Sequence, residues 1–365
     1  MAKKLSYHKS VNYSQADPMK VLAQKEGLTT AKNMPFSFSE LEGTRGESAY
    51  VFNMGDRWGA LVQEGLGTKS LIAQKVYQDS GQSHFAAIAQ DTVACIINDL
   101  VSVGATPVVL NAYWSSSSYQ WLTDTALAED FIKGWRVACD ASKVVWGGGE
   151  TQALEGVVAQ DALEFAGSAF GVIQSEKHLV QGKNLCDGDA IVLIESNGVH
   201  ANGISLIRKL ADILPEGYQT KMSDGNLLGE ATLKPTHLYA QFVLALQAAN
   251  LDIHYVSNIT GHGWRKLMRA DEEFSYIITD LPPLPEIFRF ISSETQNDNQ
   301  EMYGNYNMGA GYAVYLPAAQ AYVVTKVAEA YGFQSWIAGT VESGPKKVVI
   351  QPLDITFAGD SLGVR

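Results

Sequence analysis

Cysteine is scarce in this chain: three residues in 365, and Cys95, Cys139 and Cys186 stand 44 and 47 positions apart with no Cys-x-x-Cys pair. An odd, widely spaced set excludes a disulfide framework or a cysteine-rich zinc site, and each is expected as a buried reduced thiol. Runs of Lys or Arg are also lacking. The 27 basic residues are scattered against 39 acidic ones, for a net charge of -12 and a pI near 5.1. Nucleic acid and anionic membranes are held by clustered positive charge, so neither is expected as a partner. A small phosphorylated ligand stays open, because a few backbone amides, one Lys and a divalent cation hold phosphate inside an acidic protein. No apolar stretch approaching the roughly 18 residues of a membrane span is expected, and the basic N-terminus is followed by no apolar segment. The expected compartment is a reducing cytoplasm. The G-x-S-x-G, H-E-x-x-H and G-x-G-x-x-G patterns are missing, which removes the best support for a serine hydrolase, a zincin or a simple Rossmann enzyme.

What is present describes a folded protein of ordinary kind. Hydrophobic residues make up 46% and charged residues 18%, with 33 glycines, a balance that builds a core rather than a disordered chain. The length predicts two domains. Alternating strand and helix signals predict an α/β (α+β) architecture: residues 1–50 as a loose arm or lid, 51–177 as a first domain, 178–352 as a second, and 353–365 as an extended tail. In the first domain a strand at Trp58–Gln63 feeds a glycine turn. Helical periodicity runs from Phe85 until Gly104-Ala105-Thr106-Pro107 stops it, and a strand at Val144–Trp146 ends in Gly147-Gly148-Gly149-Glu150. In the second, a helix is expected from Pro235 to Ala249.

Five segments combine residues that carry chemistry. Glu64-Gly65-Leu66-Gly67-Thr68-Lys69 fails the Walker A pattern because Thr68 stands where Gly must precede Lys. Gly65 and Gly67 still allow backbone amides to approach phosphate, with Lys69 as a point charge and Glu64 as a metal ligand; an ordinary glycine turn would look the same. On the Phe85–Gly104 helix, Asp91 and Asn98 are seven apart and share a face, with Asp99 at its edge. This pattern fits either a Mg²⁺ site or a satisfied helix end. The triple glycine before Glu150 suggests close approach of a ligand, the alternative being a plain hairpin. Ser196–Gly203 joins a strand to a helix whose first amides favour an anion, with His200 and Asn202 as polar contacts. His262, in Thr260-Gly261-His262-Gly263, is either a substrate contact or part of a turn; His8, His84, His178, His237 and His254 lack metal-ligand spacing and read as surface or packing residues.

Taken in order, these segments resemble the aminoimidazole ribonucleotide synthetase (phosphoribosylformylglycinamidine cyclo-ligase) family from Tyr7 to about Gln351. Gly65-Leu66-Gly67-Thr68-Lys69 is similar to the family's Asp-Gly-Val-Gly-Thr-Lys element, and Gly198-Val199-His200-Ala201-Asn202-Gly203 to its Gly-Pro-His-Ser-Asn-Gly. Gly148-Gly149-Glu150-Thr151 and Asn307-Met308-Gly309-Ala310-Gly311 continue the match. The resemblance implies two α/β domains, a homodimer whose N-terminal domains build a shared β-barrel, and use of ATP with Mg²⁺. It implies closure of formylglycinamidine ribonucleotide to aminoimidazole ribonucleotide in purine biosynthesis. It assigns Lys69 and Mg²⁺, held by Glu64, Asp91 and Asp99, to the phosphates. Gly65, Gly67, Thr68, Asn98, Gly148 and Gly149 would bind the nucleotide; Glu150, His200, Asn202 and His262 would line the reaction centre. The chain departs from the family in three places: Glu64 replaces an Asp, Asn258 replaces a His while His262 appears four residues later, and the Gly-Gly-Phe-Gly lid is missing. The rival readings are a divergent kinase or synthetase of the superfamily acting on another small molecule, and a non-catalytic nucleotide-binding subunit.

Overall fold

A computed structural model describes Leu5 and residues 13–362; Tyr7, where the family resemblance begins, His8, and the last three residues of the expected tail lie outside the described residues. The first sheet contains β1 (Ser39–Glu40), β2 (Tyr50–Asn53), β3 (Trp58–Gly65), β4 (Thr106–Ser116), β5 (Val145–Ala153) and β6 (Leu163–Ile173), in the order β1-β2-β3-β6-β4-β5. Among the described strands of this sheet only β4 and β5 pair in parallel, as their connection through the helix Thr125–Ser142 allows. The second sheet contains β7 (Asp189–Glu195), β8 (Tyr255–Asn258), β9 (Phe274–Ile278), β10 (Ala310–Pro317), β11 (Ser335–Ser343), β12 (Lys347–Ile350) and β13 (Ile355–Ala358), ordered β13-β12-β9-β11-β7-β10-β8. Its inner strands β7 and β10 are apolar and buried along nearly their whole length, the pattern of strands covered on both faces.

The helix Phe85–Ser102 is the spine of the first half. It is long and apolar enough to cross a membrane by length and composition, against the sequence expectation. Fourteen of its 18 residues are buried inside the protein, so it is a core helix. It ends where Gly104 takes a φ of +86°, and a side chain there would lie 1.7 Å from the His178 carbonyl oxygen. One face of the first sheet is buried, through residues such as Val62, Phe165 and Ala169. The opposite face, with Leu61 beside Phe170 and then Val172, is partly open.

Several sequence expectations fail for identifiable reasons. The first fifty residues are not a loose arm throughout: Tyr13–Leu28 is a helix, and from Ser39 onward the chain joins the sheet. There Arg45 donates two hydrogen bonds to Glu40 (2.8 and 2.6 Å), and the Thr44 hydroxyl accepts the Val51 N–H. The triple glycine is not a loop but lies inside β5; a side chain at Gly149 would lie 2.1 Å from the Ala112 carbonyl oxygen of β4, so strand packing accounts for that glycine. Residues 235–239 stay non-helical and the helix begins at Ala240, because polar groups of the core helix capture this loop, as described below. Cys186 is exposed and Cys95 partly so; only Cys139 is a buried thiol. The tail folds as β13, paired with β12, burying Ile355 and Phe357. Phe357→Ala should therefore cost about 3 kcal/mol in a urea titration, where a loose tail would show no change.

Candidate functional site

The two halves meet along the polar stripe of the core helix. Lys69, at the start of the helix Lys69–Ser80, is fully buried and forms an ion pair of 2.7 Å with Asp91, which is buried as completely. The Lys69 ammonium also donates to the Lys234 carbonyl (3.0 Å), and the other Asp91 oxygen accepts both the Thr236 N–H (2.7 Å) and its hydroxyl (2.5 Å). Two helical turns on, Asn98 repeats the arrangement. Its Nδ2 donates to the His237 carbonyl and its Oδ1 accepts the Tyr239 N–H, both at 2.9 Å. These bonds consume backbone groups that a helix from Pro235 would have used internally.

Beside this seam lies a cavity of about 310 Å³ lined from both halves. Glu64 at the end of β3 and Asp99 on the core helix supply carboxylates, facing Lys266, Arg269 and His262 from the second half. Asp99 Oδ1 accepts a 2.8 Å hydrogen bond from Asn258 Nδ2. The Glu64 carboxylate makes no hydrogen bond or ion pair among the described residues. Burial and then the charge of Asp99 push Glu64 up to about 7, against the pull of Lys266 and Arg269. Burial, with Arg269 adding to it, brings Lys266 down to about 8. Two carboxylates in one half-open cavity, one of them without a partner among the described residues, are hard oxygen donors that fit a divalent cation. Arg269 is committed elsewhere, donating to the Gly46 carbonyl (2.8 Å) and the Ser48 hydroxyl (2.9 Å), and so ties the residues before β2 to the second half.

The residues singled out in the sequence fall into four places. Glu64, Gly65, Asp99, Asn202 and His262 line this cavity, and Gly67 and Thr68 line a neighbouring one of about 390 Å³. Lys69, Asp91 and Asn98 lie behind the cavity wall, their polar groups already engaged; neither Lys69 on a phosphate nor Asp91 on a metal matches this placement. His200 is also sealed, in a left-handed conformation with φ +55°, its Nε2 without a partner, and burial pushes it well below the ordinary imidazole value. Gly148, Gly149 and Glu150 are exposed on β5 and line neither cavity, although Glu150 pairs across the sheet with Tyr113, which lines the second. Sequence reading missed Glu47, Lys266 and Arg269 as cavity residues. The available signal was three cations within five residues, Arg265, Lys266 and Arg269, directly after a glycine turn.

The fold and this seam-side cavity define a two-domain α/β protein with a polar, ligand-sized site between its halves. Two family profiles match it: "AIR synthase related protein, N-terminal domain" over residues 46–173 and "AIR synthase related protein, C-terminal domain" over 187–351. A phosphoribosylformylglycinamidine cyclo-ligase of Methanobrevibacter smithii is 33% identical over 271 residues, covering 74% of this chain and 76% of that protein. The chain thus belongs to the aminoimidazole ribonucleotide synthase, or phosphoribosylformylglycinamidine cyclo-ligase, family. Among solved structures, a HypE–HypF complex aligns with a TM-score of 0.63 at 16% identity, covering 92% of this chain and 98% of that one. HypE in complex with ATP aligns at 0.58 and 17% identity, covering 82% and 83%.

Removing one partner of a buried ion pair leaves an uncompensated charge, so Lys69→Met should lose about 3–5 kcal/mol of stability in urea titrations. Burial lowers His237 from 6.5 to about 4. Between those values the unfolded chain takes up a proton that the folded chain refuses, so this histidine's contribution makes stability fall as pH drops from about 6.5 to 4. His237→Phe should flatten that acid limb by at most ~1.4 kcal/mol per pH unit relative to the parent protein, read from urea midpoints.

Proposed function

We propose that this chain uses ATP to close formylglycinamidine ribonucleotide into aminoimidazole ribonucleotide, releasing ADP and phosphate, a step of purine biosynthesis. The observation that carries the reading at the level of the site is the Glu64–Asp99 carboxylate pair, which faces Lys266 and Arg269 in a cavity between the halves. The cyclo-ligase name of a relative matched over three quarters of both chains supports the reaction itself. HypE and a Thermotoga maritima PurL share the fold and have been solved with ATP and ADP, which supports nucleotide binding by this architecture. At 16–17% identity they speak for the fold alone, so an acceptor other than the cyclo-ligase substrate is not favoured.

The chemical difficulty is that an amide oxygen leaves poorly. Phosphorylation of the formyl oxygen by the ATP terminal phosphoryl group, with ADP departing, makes it a leaving group. The amidine nitrogen then attacks the activated carbon, the carbon–oxygen bond breaks, phosphate departs, and the nitrogen loses a proton as the ring becomes aromatic. Most of the catalytic work is positioning and charge neutralisation. Glu64 and Asp99 would hold Mg²⁺, which supplies neutralisation of phosphate charge when bound. Asn258 fixes the orientation of Asp99 through its 2.8 Å hydrogen bond. The Gly65 and Gly67 backbone lies between the two cavities, where amides can meet the phosphates. His262, brought to about 3 by burial and then by Arg265 and Lys266, is neutral at pH 7. It is too weak a base to remove the proton and serves instead as a hydrogen-bonding contact to the substrate.

The partly open face of the first sheet, with Leu61 and Phe170, together with the outer edge of β5, favours assembly as a homodimer through this sheet. Glu150 and the neighbouring glycines would then meet the partner rather than the reaction centre.

With Mg-ATP and formylglycinamidine ribonucleotide, the purified protein should release ADP and an aromatic amine product in equal amounts. Glu64→Gln and Asp99→Asn should each lower kcat on the order of 100-fold with the thermal melt of the unliganded protein nearly unchanged. Near-normal turnover in both variants would refute the metal assignment.

A further inference from the structure

We infer that Lys266, rather than Lys69, is the lysine that contacts the phosphate groups handled in this cavity; the inference deepens the nucleotide-using reading above and rests on it. Phosphate in this cavity needs fixed positive charge, and of the cations that line it Lys20, on the first helix, is exposed to solvent. Lys69 has no exposed surface and spends its ammonium on Asp91 and the Lys234 carbonyl. Arg269 lines the cavity, but its guanidinium is taken by the Gly46 carbonyl and the Ser48 hydroxyl. Lys266 also lines the cavity, and its ammonium makes no hydrogen bond or ion pair among the described residues.

The backbone that carries Lys266 is, by contrast, firmly held. It sits on a short 3₁₀ helix, Gly263–Met268, entered through His262 at φ +70°. The Lys266 carbonyl accepts the Ser257 hydroxyl (2.8 Å), the next carbonyl accepts the Tyr315 hydroxyl (2.8 Å), and Trp264 Nε1 donates to the Asn307 carbonyl (2.7 Å). A side chain on a fastened backbone, with its charged end left over inside a cavity, is arranged for an anion that arrives from outside. Glu64 and Asp99 do not meet that need, since neither lies within ion-pair distance of it and both fit a cation of their own. A phosphate oxygen set between the carboxylate-bound cation and Lys266 satisfies both sides at once.

The test uses the full chain and two ligands: the Mg complex of an ATP analogue with a nitrogen-bridged γ-phosphate, and adenosine. By calorimetry, Lys266→Met should bind the triphosphate analogue about 10- to 100-fold more weakly than the parent protein, the worth of a charge-assisted hydrogen bond. Adenosine binding should not change, and Lys266→Arg should recover part of the loss. Parent-like affinity for the analogue in Lys266→Met would overturn the inference. A second measurement needs no variant: the Mg-bound analogue should slow chemical acylation of Lys266, followed by mass spectrometry, while adenosine should not. Equal labelling with and without the analogue would also overturn it. The two readings fail separately. A parent protein that protects Lys266 but forms no aminoimidazole ribonucleotide sinks the cyclo-ligase assignment and leaves Lys266 in place. Product formation at the parental rate by Lys266→Met sinks the role of Lys266 alone.

Discussion

The buried ion pair between Lys69 and Asp91 is the constraint on which the rest of this structure depends. Taking two charges out of water is costly, and their attraction offsets that cost only when their remaining donors and acceptors are also satisfied. Here the satisfaction comes from the other half of the molecule, through the Lys234 carbonyl and the N–H and hydroxyl of Thr236. The pair therefore cannot be stable unless the 234–239 loop is docked, and the loop cannot be helical while its backbone is so engaged. Asn98 extends the same logic along the core helix, and Asp99, one residue further, emerges where the seam opens into the cavity. The cavity is placed by a joint that has no room for a ligand.

This arrangement separates two duties that a linear motif presents together. Asp91, Asn98 and Asp99 stand within nine positions of one helix, yet the first two are structural clamps and only the third faces open space. The same division splits the glycine segment, where Glu64 and Gly65 meet the main cavity, Gly67 and Thr68 meet its neighbour, and Lys69 turns inward. The positive charge that Lys69 does not provide comes from the second half, on the 3₁₀ turn after His262. The cavity is thus an electrostatic composite: its acids, with Lys20, come from the first half, Lys266 and Arg269 from the second, and the site exists only when the two are assembled.

The departures from the family pattern become physically specific in this light. Asn258, where a His is usual, donates to Asp99 and fixes the orientation of that carboxylate without adding a titrating group. His262 shares the cavity wall four residues later, on a left-handed turn, and is kept neutral by burial and by the cations beside it.

By itself the amino-acid sequence determined the local elements and the kinship. Apolar periodicity marked the core helix at Phe85, the short apolar run at Trp58–Gln63 marked β3, and the ordered motifs pointed to the family that the profile matches then established. Those signals are local, so one sequence carries them openly. It did not decide what the triple glycine is for, because close packing of β5 on Ala112 and approach of a ligand both demand a missing side chain. Nor did it decide which of Lys69 and Lys266 stays available, since a lysine's role depends on whether an acid from elsewhere in the fold reaches it first. Only the tertiary structure brings Asp91 against Lys69 and leaves Lys266 facing the cavity, because ion pairing acts through distances in space that sequence separation does not encode.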